Sequence, residues 1–324
     1  MSSIVYRTYN PSDEYLHLDL MWNSSPHVRN IQYWNWINNK SWGGDPIIQY
    51  ALDCDRIIGS YVIHPVNLFL GESHIKAGFA TQLLVHKEYR GLEIIKNLND
   101  SLIDSCASSG IEFIYGFPNS SIWGINLKLF QWNDIGKIKY YECNIDDIVV
   151  RKPKYNIRIM DDQSIDALSS AISKYSANMN DRIINFNRES NWFKWRYFDN
   201  PLNHYKVFFT NTIDTGLGVL VVKYYSHEST LIGHIVEIII SDNNSDTVNS
   251  LISKMITNFK FIGINEVSFW RTNNDWIKES LLNMGFKEKE KFSNFGVRNI
   301  SYSDIGKVSS SGSWNVSMCD SDAF

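Results

Sequence analysis

Apolar and polar positions follow two different periods along the chain, and these periods predict a protein with both helices and strands. Between residues 13 and 40, apolar and aromatic side chains recur every three or four positions, which predicts two short helices interrupted at Ser24-Ser25-Pro26. Segments rich in β-branched and aromatic residues follow, with turn residues between them, and they predict strands in succession. The predicted strands are Ile47–Asp53, Ile57–Val66 and Ala77–Val85.

The remainder of the first half predicts an alternation of helix and strand. The amphipathic segment Glu93–Ser108 predicts a helix that ends at Ser109-Gly110, because glycine commonly terminates helices. A strand over Ile111–Phe117 and a helix from Ile122 to Trp132 follow it. The predicted fold class is therefore α/β, with a mixed, mostly antiparallel twisted sheet flanked by helices.

The second half of the chain repeats this order of elements, which predicts an internal duplication of the architecture. The charged, proline-containing stretch Arg151-Lys152-Pro153-Lys154 is expected to link two domains, residues 1–150 and residues 151–324. The segment after Ser309 is rich in serine and glycine, and it is expected to be a flexible tail or a final edge strand. The predicted strands of this half are Asn156–Met160, Tyr205–Phe209, Leu217–Tyr225, His234–Ser241 and Asn265–Trp270, and the predicted helices are Asp162–Tyr175, Asp246–Phe259 and Asp275–Met284.

Composition and charge exclude several classes of protein. The 324 residues are 44% apolar and 20% charged, which argues against disorder and against a collagen-like chain. The 31 basic and 35 acidic residues give a net charge of −4, so the chain lacks the basic excess that a nucleic-acid partner favours. Four scattered cysteines have no metal-ligand spacing, so no metal is expected. Without a bilayer-length apolar run or a signal peptide, a cytoplasmic protein that binds no membrane is expected.

The most informative segment runs from Phe79 to Leu98. A predicted strand enters the Arg90-Gly91 turn and passes directly into a helix, whose free backbone N–H groups and positive dipole end suit a diphosphate. This arrangement resembles the acetyl-coenzyme A site of the GNAT acyltransferase superfamily, where the pattern is Q/R-x-x-G-x-G/A. Arg90 occupies its first position, and Glu93 and Ile95 occupy its two glycine positions.

The resemblance extends further along the chain. It includes Gly116-Phe117-Pro118-Asn119 after the next strand and Leu129-Phe130-Gln131-Trp132 at the end of the following helix. Two-domain chains with the first of these elements and a Trp-Phe-x-Trp-Arg-Tyr element, here Trp192–Tyr197, resemble bacterial acyltransferases of surface-polysaccharide biosynthesis. The resemblance implies transfer of an acetyl or short hydroxyacyl group, such as 3-hydroxybutanoyl, from coenzyme A to the amine of a dTDP-linked 3-amino- or 4-amino-dideoxyhexose.

The resemblance also implies where the acyl donor binds. The thioester would lie along Leu83–Val85, where the strand splays from Ile111–Phe117 and leaves backbone groups to pair with pantetheine. A backbone N–H there would stabilise the oxyanion of the tetrahedral intermediate. The second domain, without an Arg-Gly turn, would shape the acceptor site. The residues expected to contact coenzyme A are Leu83, Leu84, Val85, Arg90, Gly91, Leu92, Ile94, Ile95, Lys96, Asn119 and Asn126.

The usual catalytic groups of the superfamily are replaced here. Thr81 stands where many members carry a glutamate base, and Leu127 stands where many carry a tyrosine acid. The histidines nearest in sequence to the thioester, His64 and His86, are the candidate bases, because imidazole titrates near neutrality. Alternatively, both are ordinary histidines of a sheet or loop, and the first domain is a catalytically inactive fold for binding or sensing.

Two further alternatives concern the acceptor. Trp192, Trp195, Arg196 and Tyr197 are expected to contact a nucleotide by charge-assisted hydrogen bonds and stacking, or else to dock their helix between the two halves. Fem-type aminoacyltransferases also pair two such folds, but the net charge of −4 argues against a tRNA substrate. The sugar, the acyl chain and the oligomeric state stay open.

Overall fold

The computed structural model describes residues 4–24, 30–161, 165, 182–212, 216–227, 230–241, 243–272 and 275–321. The chain divides into two compact units, and each unit is assembled from three separate segments. The first unit comprises Met1–Leu68, His74–Gly136 and Asn294–Ser309, and the second comprises Phe69–Ser73, Lys137–Ser293 and Ser310–Phe324.

The sheet of the first unit follows the order β1-β2-β3-β4-β5 and ends on the last residues of β13. The pairs β1–β2, β2–β3 and β5–β13 are antiparallel, whereas β4 and β5 run parallel. A tight turn with Gly71 at φ +59° joins β3 to β4, and glycine adopts that angle without steric cost. The strands are β1 Val5–Thr8, β2 Ile47–Asp53, β3 Arg56–Leu70, β4 Ser73–Val85, β5 Phe113–Gly116 and β13 Lys287–Asn299.

A long helix, α3, packs on this sheet because its apolar residues recur every four positions. Leu98, Leu102 and Cys106 lie on one buried face and join a core cluster with residues of β2, β3 and β5. A Cβ atom at Gly59 of β3 would lie 3.0 Å from Cδ1 of Leu98, so glycine permits this close approach. The helical elements are α1 Glu14–Ser24, α2 Ile31–Trp34, a π-helical turn Asn35–Asn39, α3 Leu92–Ser108 and α4 Ser120–Lys128.

The sheet of the second unit follows the order β13-β6-β12-β11-β10-β9-β7, with β11 parallel to β12. Its amphipathic helix α6 buries Leu251, Met255 and Phe259 against β-branched residues of the strands. The elements are β6 Asn133–Asn144, β7 Arg158–Ile159, β8 Ile184–Phe186, α5 Ser190–Tyr197, β9 Tyr205–Thr212, β10 Gly216–His227, β11 Thr230–Ile240, α6 Ser245–Phe261, β12 Glu266–Trp270 and α7 Trp276–Asn283.

The two units share one connection pattern, and each takes one antiparallel strand from the other half of the sequence. In both, a long helix joins two parallel neighbours: α3 joins β4 to β5, and α6 joins β11 to β12. The antiparallel strand beside β5 is β13, with Val297 opposite Tyr115, whereas the antiparallel strand beside β12 is β6, with Cys143 opposite Val267. The mixed α/β class with helices flanking mostly antiparallel sheets is confirmed.

The division of the chain lies elsewhere than the linker placed at Arg151–Lys154. The backbone N–H of Arg151 donates to Asn249 Oδ1 at 2.8 Å, and that of Lys154 donates to Ser250 Oγ at 3.2 Å. These bonds fix the segment against α6 of the second unit. The chain instead passes between the units after Leu68 in β3, after Ser73 in β4 and after Gly136 in β6. The sequence analysis did not assign β6, because its lysine and glutamate residues mask the alternation.

The segment after Ser309 is neither a flexible tail nor an edge strand. Residues 310–321 form short helical turns with two isolated bridges, Ile184 to Trp314 and Arg271 to Ser317. The side chain of Trp314 is fully buried. The helix expected over Asp162–Tyr175 lies outside the described residues. In the described part of the chain, no helix has both the length and the apolar character needed to cross a bilayer.

Candidate functional site

Strands β4 and β5 pair over a short distance. Their parallel register runs from Ala77 opposite Phe113 to Phe79 opposite Tyr115, while β4 continues to Val85. Because β5 itself ends at Gly116, the separation expected from the resemblance stays a prediction. The later residues of β4 therefore have backbone groups that β5 does not engage, and an extended ligand could pair with them as an added strand.

The backbone of β4 is irregular where the pairing has ended. Gln82 has φ +42°, the left-handed region that a glutamine adopts only at an energetic cost of about 1 kcal/mol or more. After it, Leu83 and Val85 pack with the cluster beneath α3, whereas Leu84 packs with a cluster that includes residues of α1 and α2. All three leucine and valine side chains are half-buried.

Helix α3 begins with its backbone N–H groups uncapped. Its N-cap residue, Gly91, is extended at φ −177° and has no side chain to accept a hydrogen bond from the first turn. Gly91, Leu92 and Arg90 are exposed. The positive end of the helix dipole and these amides form a site suited to an anion, with the Arg90 guanidinium in the preceding turn. Glu93, also exposed, is the acidic residue of this first turn.

His86 anchors the loop between β4 and α3 to its neighbours in the protein. This histidine is 2% exposed, and its Nε2 lies 2.8 Å from Nη2 of Arg56. Its Nδ1 lies 3.3 Å from the backbone nitrogen of Glu88, and its backbone N–H donates to the Ile58 carbonyl oxygen at 2.8 Å. Because guanidinium only donates, Nε2 accepts that bond. His86 is therefore a structural support of the loop, and its ring nitrogens face protein groups.

Three residues of α3 that are expected to contact coenzyme A differ in how far their side chains are exposed. Ile94 is 7% exposed and its side chain packs into the core, so only its backbone N–H faces the helix N-terminus. Ile95 is half-buried against the same cluster. Lys96 is exposed and its Nζ lies 3.6 Å from Asp100 one turn further on. Side-chain contact with coenzyme A is thus excluded for Ile94 by burial.

The two asparagines near α4 also differ. Asn119 caps the helix, since its Oδ1 accepts from the backbone N–H of Ser121 at 3.0 Å and of Ile122 at 3.3 Å. Asn126 is 3% exposed, and its buried Oδ1 has no hydrogen-bond partner among the described residues. Asn126 therefore has an acceptor atom that a ligand could satisfy, whereas the Asn119 oxygen already serves the fold.

His64 lies on β3 in an unusual environment. It is 5% exposed, and neither ring nitrogen has a hydrogen-bond partner in the part of the chain that the structure describes. Burial lowers its pKa to about 4, so the ring is neutral at physiological pH. It shares a strand face with Val62, which packs with Leu84 of β4 and with Trp34. Thr81, at the usual base position, is also buried, and its hydroxyl has no hydrogen-bond partner among the described residues.

A third buried histidine, His17 of α1, was missed by the sequence analysis. Its Nε2 lies 3.2 Å from Oε1 of Gln82, at the irregular position of β4, and its Nδ1 lies 3.1 Å from the hydroxyl of Tyr50. Its ring packs against Trp34, with 4.5 Å between centroids. In the sequence, His17 is one polar position within an amphipathic segment, and nothing marks its partner 65 residues away.

The aromatic helix α5 packs inside the second unit. Arg196 is 5% exposed, and its guanidinium donates to the carbonyl oxygens of Cys319 at 3.1 Å and Ser321 at 2.9 Å. Trp192 and Tyr197 are buried as well, with T-shaped ring contact between them. Arg196 fixes the helix to the last described residues, and the burial of all three side chains favours packing over the expected contact with an acceptor. Trp195 is half-buried.

A buried charge cluster stands beside this helix. The Arg188 guanidinium donates to Glu237 at 2.8 Å and to Asp320 at 2.6 Å, and its carbon lies 4.4 Å from the Trp192 ring centroid. The Cys319 thiol donates to Glu237 at 2.8 Å. Each carboxylate is thus paired within the protein, which is the condition for burying charge. Among the described residues, no group of histidine, cysteine or acidic side chains has the arrangement of a metal site.

Comparisons with known proteins agree with this geometry. The family model described as "Acetyltransferase (GNAT) domain" matches residues 17–124, which include β4, its turn and α3. No protein of curated function matches the chain.

Solved structures resemble the chain over most of its length. One is a GCN5-related N-acetyltransferase from Anabaena variabilis, with a TM-score of 0.69, 12% identity, and coverage of 94% of this chain and 74% of that one. Another is a probable N-acyltransferase from Enterococcus faecalis, with a TM-score of 0.71, 11% identity, and coverage of 93% and 73%. A third is a GCN5-related N-acetyltransferase from Kribbella flavida, with a TM-score of 0.65, 12% identity, and coverage of 92% and 71%.

At these identities the structural similarity shows the fold alone. Residues 17–124, about a third of the chain, match the acetyltransferase (GNAT) domain model, and this match supports an acyltransferase.

Proposed function

We propose that this chain is an acyl-coenzyme A-dependent N-acyltransferase that acylates the amine of a nucleotide-linked dideoxy amino sugar. The donor is acetyl-coenzyme A or a short hydroxyacyl thioester such as 3-hydroxybutanoyl-coenzyme A. The observation that supports this most directly is the N-terminus of α3, whose N-cap residue Gly91 has no side chain to cap it and which follows the part of β4 beyond its pairing with β5.

The donor binds in two parts in this proposal. Its diphosphate accepts hydrogen bonds from the backbone N–H groups of Leu92, Glu93 and Ile94, and the Arg90 guanidinium adds a positive charge. Its pantetheine arm pairs with the backbone of Leu83–Val85 as an added strand. The buried Oδ1 of Asn126, without a partner among the described residues, is a further acceptor for an N–H of the ligand.

The reaction is a direct transfer. The neutral amine nitrogen attacks the thioester carbonyl carbon and forms the C–N bond, and a backbone N–H of β4 stabilises the oxyanion of the tetrahedral intermediate. The C–S bond then breaks, coenzyme A leaves as a thiolate that is protonated, and the nitrogen loses its extra proton to a base. The product is an amide.

Of the two histidines considered as bases, His64 has the more suitable geometry. Both of its ring nitrogens lack partners among the described residues, whereas those of His86 face Arg56 and the Glu88 backbone. With a pKa of about 4, His64 is a weak base, so it accepts a proton only from a strongly acidic intermediate. A sugar amine of moderate basicity needs little help from a base, because a fraction of the amine is already neutral near pH 7.

The nucleotide-sugar acceptor rests on the sequence resemblance of Gly116–Asn119 and Trp192–Tyr197 to acyltransferases of surface-polysaccharide biosynthesis. A binding screen tests donor and acceptor together. Acetyl- and 3-hydroxybutanoyl-coenzyme A are titrated into the protein by calorimetry, alone and with dTDP-, UDP- and GDP-linked amino sugars, because any ligand of the folded state raises its stability by linkage.

Binding of a thioester and one nucleotide amino sugar, followed by release of free thiol, is the expected result. Binding of a sugar without a thioester would indicate an inactive binding or sensing fold. Activity that requires charged tRNA would indicate a Fem-type aminoacyltransferase. Either outcome overturns the proposal.

A further inference from the structure

The feature that the proposed reaction leaves unexplained is the backbone of Gln82. At φ +42°, this residue occupies a region where glutamine is strained, and it lies in β4 beyond the last residue pair with β5. Strained conformations of this kind persist where surrounding contacts over-determine them. The contacts of the Gln82 side chain therefore show what holds the irregularity in place.

Those contacts run through His17. Oε1 of Gln82 is an acceptor only, so Nε2 of His17 carries the proton and donates across 3.2 Å. Nδ1 is then unprotonated and accepts from the Tyr50 hydroxyl across 3.1 Å. The ring is fully buried and lies against Trp34. The imidazole thus has one tautomer, one orientation and no freedom to move.

Burial keeps this ring in the neutral form that the two hydrogen bonds require. It lowers the pKa of His17 to about 4, although the nearby Asp13 carboxylate acts in the opposite direction. A neutral imidazole has one donor and one acceptor, and both are used here. A group with its donor and acceptor both satisfied inside the core is well suited to fix a neighbour and poorly suited to accept a substrate proton.

We infer, on the basis of the proposed acyl transfer, that His17 is a positioning residue that acts through the Gln82 side chain on the backbone of β4. By anchoring Oε1 of Gln82, it keeps the strand in the strained conformation that directs the following backbone N–H toward the thioester carbonyl. The substrate never touches His17. His17 affects the alignment of the backbone N–H that donates a hydrogen bond to the oxyanion. A displacement of that group by about 1 Å lowers the rate on the order of a hundredfold.

Variants of His17 separate this role from one in folding. His17→Phe keeps a ring in the pocket beside Trp34 but removes the donor, and we expect kcat to fall about tenfold to a hundredfold with the dissociation constant of acetyl-coenzyme A within about twofold of the wild type. His17→Gln retains an N–H near the position of Nε2 and is expected to recover most of kcat. Thermal unfolding confirms that each variant is folded.

A second substitution tests the route through Gln82. Gln82→Gly adopts a positive φ without strain and lacks the side chain that His17 holds. Adding His17→Phe to this glycine variant is therefore expected to leave kcat unchanged within about twofold, so the two substitutions are strongly non-additive. An equal loss in both backgrounds would show that His17 acts on the fold generally, and would overturn the inference.

The same measurements distinguish this inference from the proposed function. Wild-type turnover with an unaltered kcat in His17→Phe overturns the positioning role and leaves the acyltransferase standing. A wild-type protein that binds no acyl-coenzyme A overturns the acyltransferase itself, and the positioning role with it.

Discussion

Arg56 of β3 and His86 of the β4–α3 loop are joined by a hydrogen bond of 2.8 Å between Nη2 and Nε2. Because His86 is almost completely buried, this bond fixes the turn that leads into α3. Arg56 also approaches Glu88 of the same loop, with 3.9 Å between Nη1 and Oε2. The loop that precedes the proposed diphosphate site is thus tied to the sheet beneath it.

His86→Asn is expected to weaken binding of acetyl-coenzyme A by about tenfold while kcat falls little. The reason is that a loosened loop must be ordered again when the donor binds, at a cost of about 1–2 kcal/mol for the hydrogen bonds lost. Calorimetric titration gives the affinity, and steady-state kinetics at saturating donor gives kcat. A hundredfold loss of kcat with unchanged donor affinity would instead make His86 the base.

Arg90→Ala is expected to weaken donor binding by about 1–2 kcal/mol, because the guanidinium adds a charge-assisted hydrogen bond to a phosphate oxygen. The effect is expected to be larger for acetyl-coenzyme A than for acetyl-pantetheine, which lacks the diphosphate. Lys307→Ala, an exposed residue paired with Asp304, is the control for loss of a positive charge. Equal losses in the two alanine variants would contradict the placement of Arg90.

His64→Asn is expected to lower kcat by about a hundredfold with little change in donor affinity, as for removal of a group that accepts a proton in the transition state. Rates are measured from pH 6 to pH 9, where the wild-type ring stays neutral. If the variant turns over normally, the proton leaves through water, and His64 has no part in catalysis.

Acid destabilises this protein through three buried histidines. Burial lowers the pKa of His17 and His64 to about 4 and that of His234 to about 3, against about 6.5 in the unfolded chain. The unfolded state therefore binds more protons, and stability is lost as pH falls from about 6.5 toward about 4. Each histidine is expected to lower the free energy of unfolding by about 2 kcal/mol between pH 7 and pH 5, as measured by urea denaturation.

His64→Asn is expected to reduce this loss of stability between pH 7 and pH 5 by the contribution of one histidine. The comparison needs only the difference between pH 7 and pH 5 for each protein. An identical difference in the wild type and in His64→Asn would show that His64 is not held neutral by burial.

Arg188→Ala is expected to destabilise the second unit by about 3–5 kcal/mol, because it leaves the carboxylates of Glu237 and Asp320 buried without their partner. Chemical denaturation measures the loss, and Lys287→Ala on an exposed part of β13 is the control. A loss below about 1 kcal/mol would mean that the two acidic groups become protonated and satisfy each other.

The sequence was sufficient to identify α3 and the strand before it, since a 3.6-residue period and a run of β-branched residues adjoin an Arg-Gly turn. It could not reveal the strained angle at Gln82, because glutamine carries none of the conformational signals of glycine. The sequence also predicted that Arg196 contacts a nucleotide, because its charge suggested a ligand. Instead, the guanidinium of Arg196 donates to the backbone carbonyl oxygens of Cys319 and Ser321. No local sequence pattern predicts a contact between residues more than 120 positions apart.

The pairing of β5 with β13, a strand near the other end of the sequence, has a consequence for protein synthesis. The edge of β5 that receives Gly296–Asn299 is apolar, with Phe113, Ile114 and Tyr115, and it has no β13 partner until the ribosome has added residue 299. An unpaired apolar edge is a template for incorrect pairing with other chains. The domain encoded first thus completes its sheet almost last, and the nascent chain is exposed to aggregation for most of its translation.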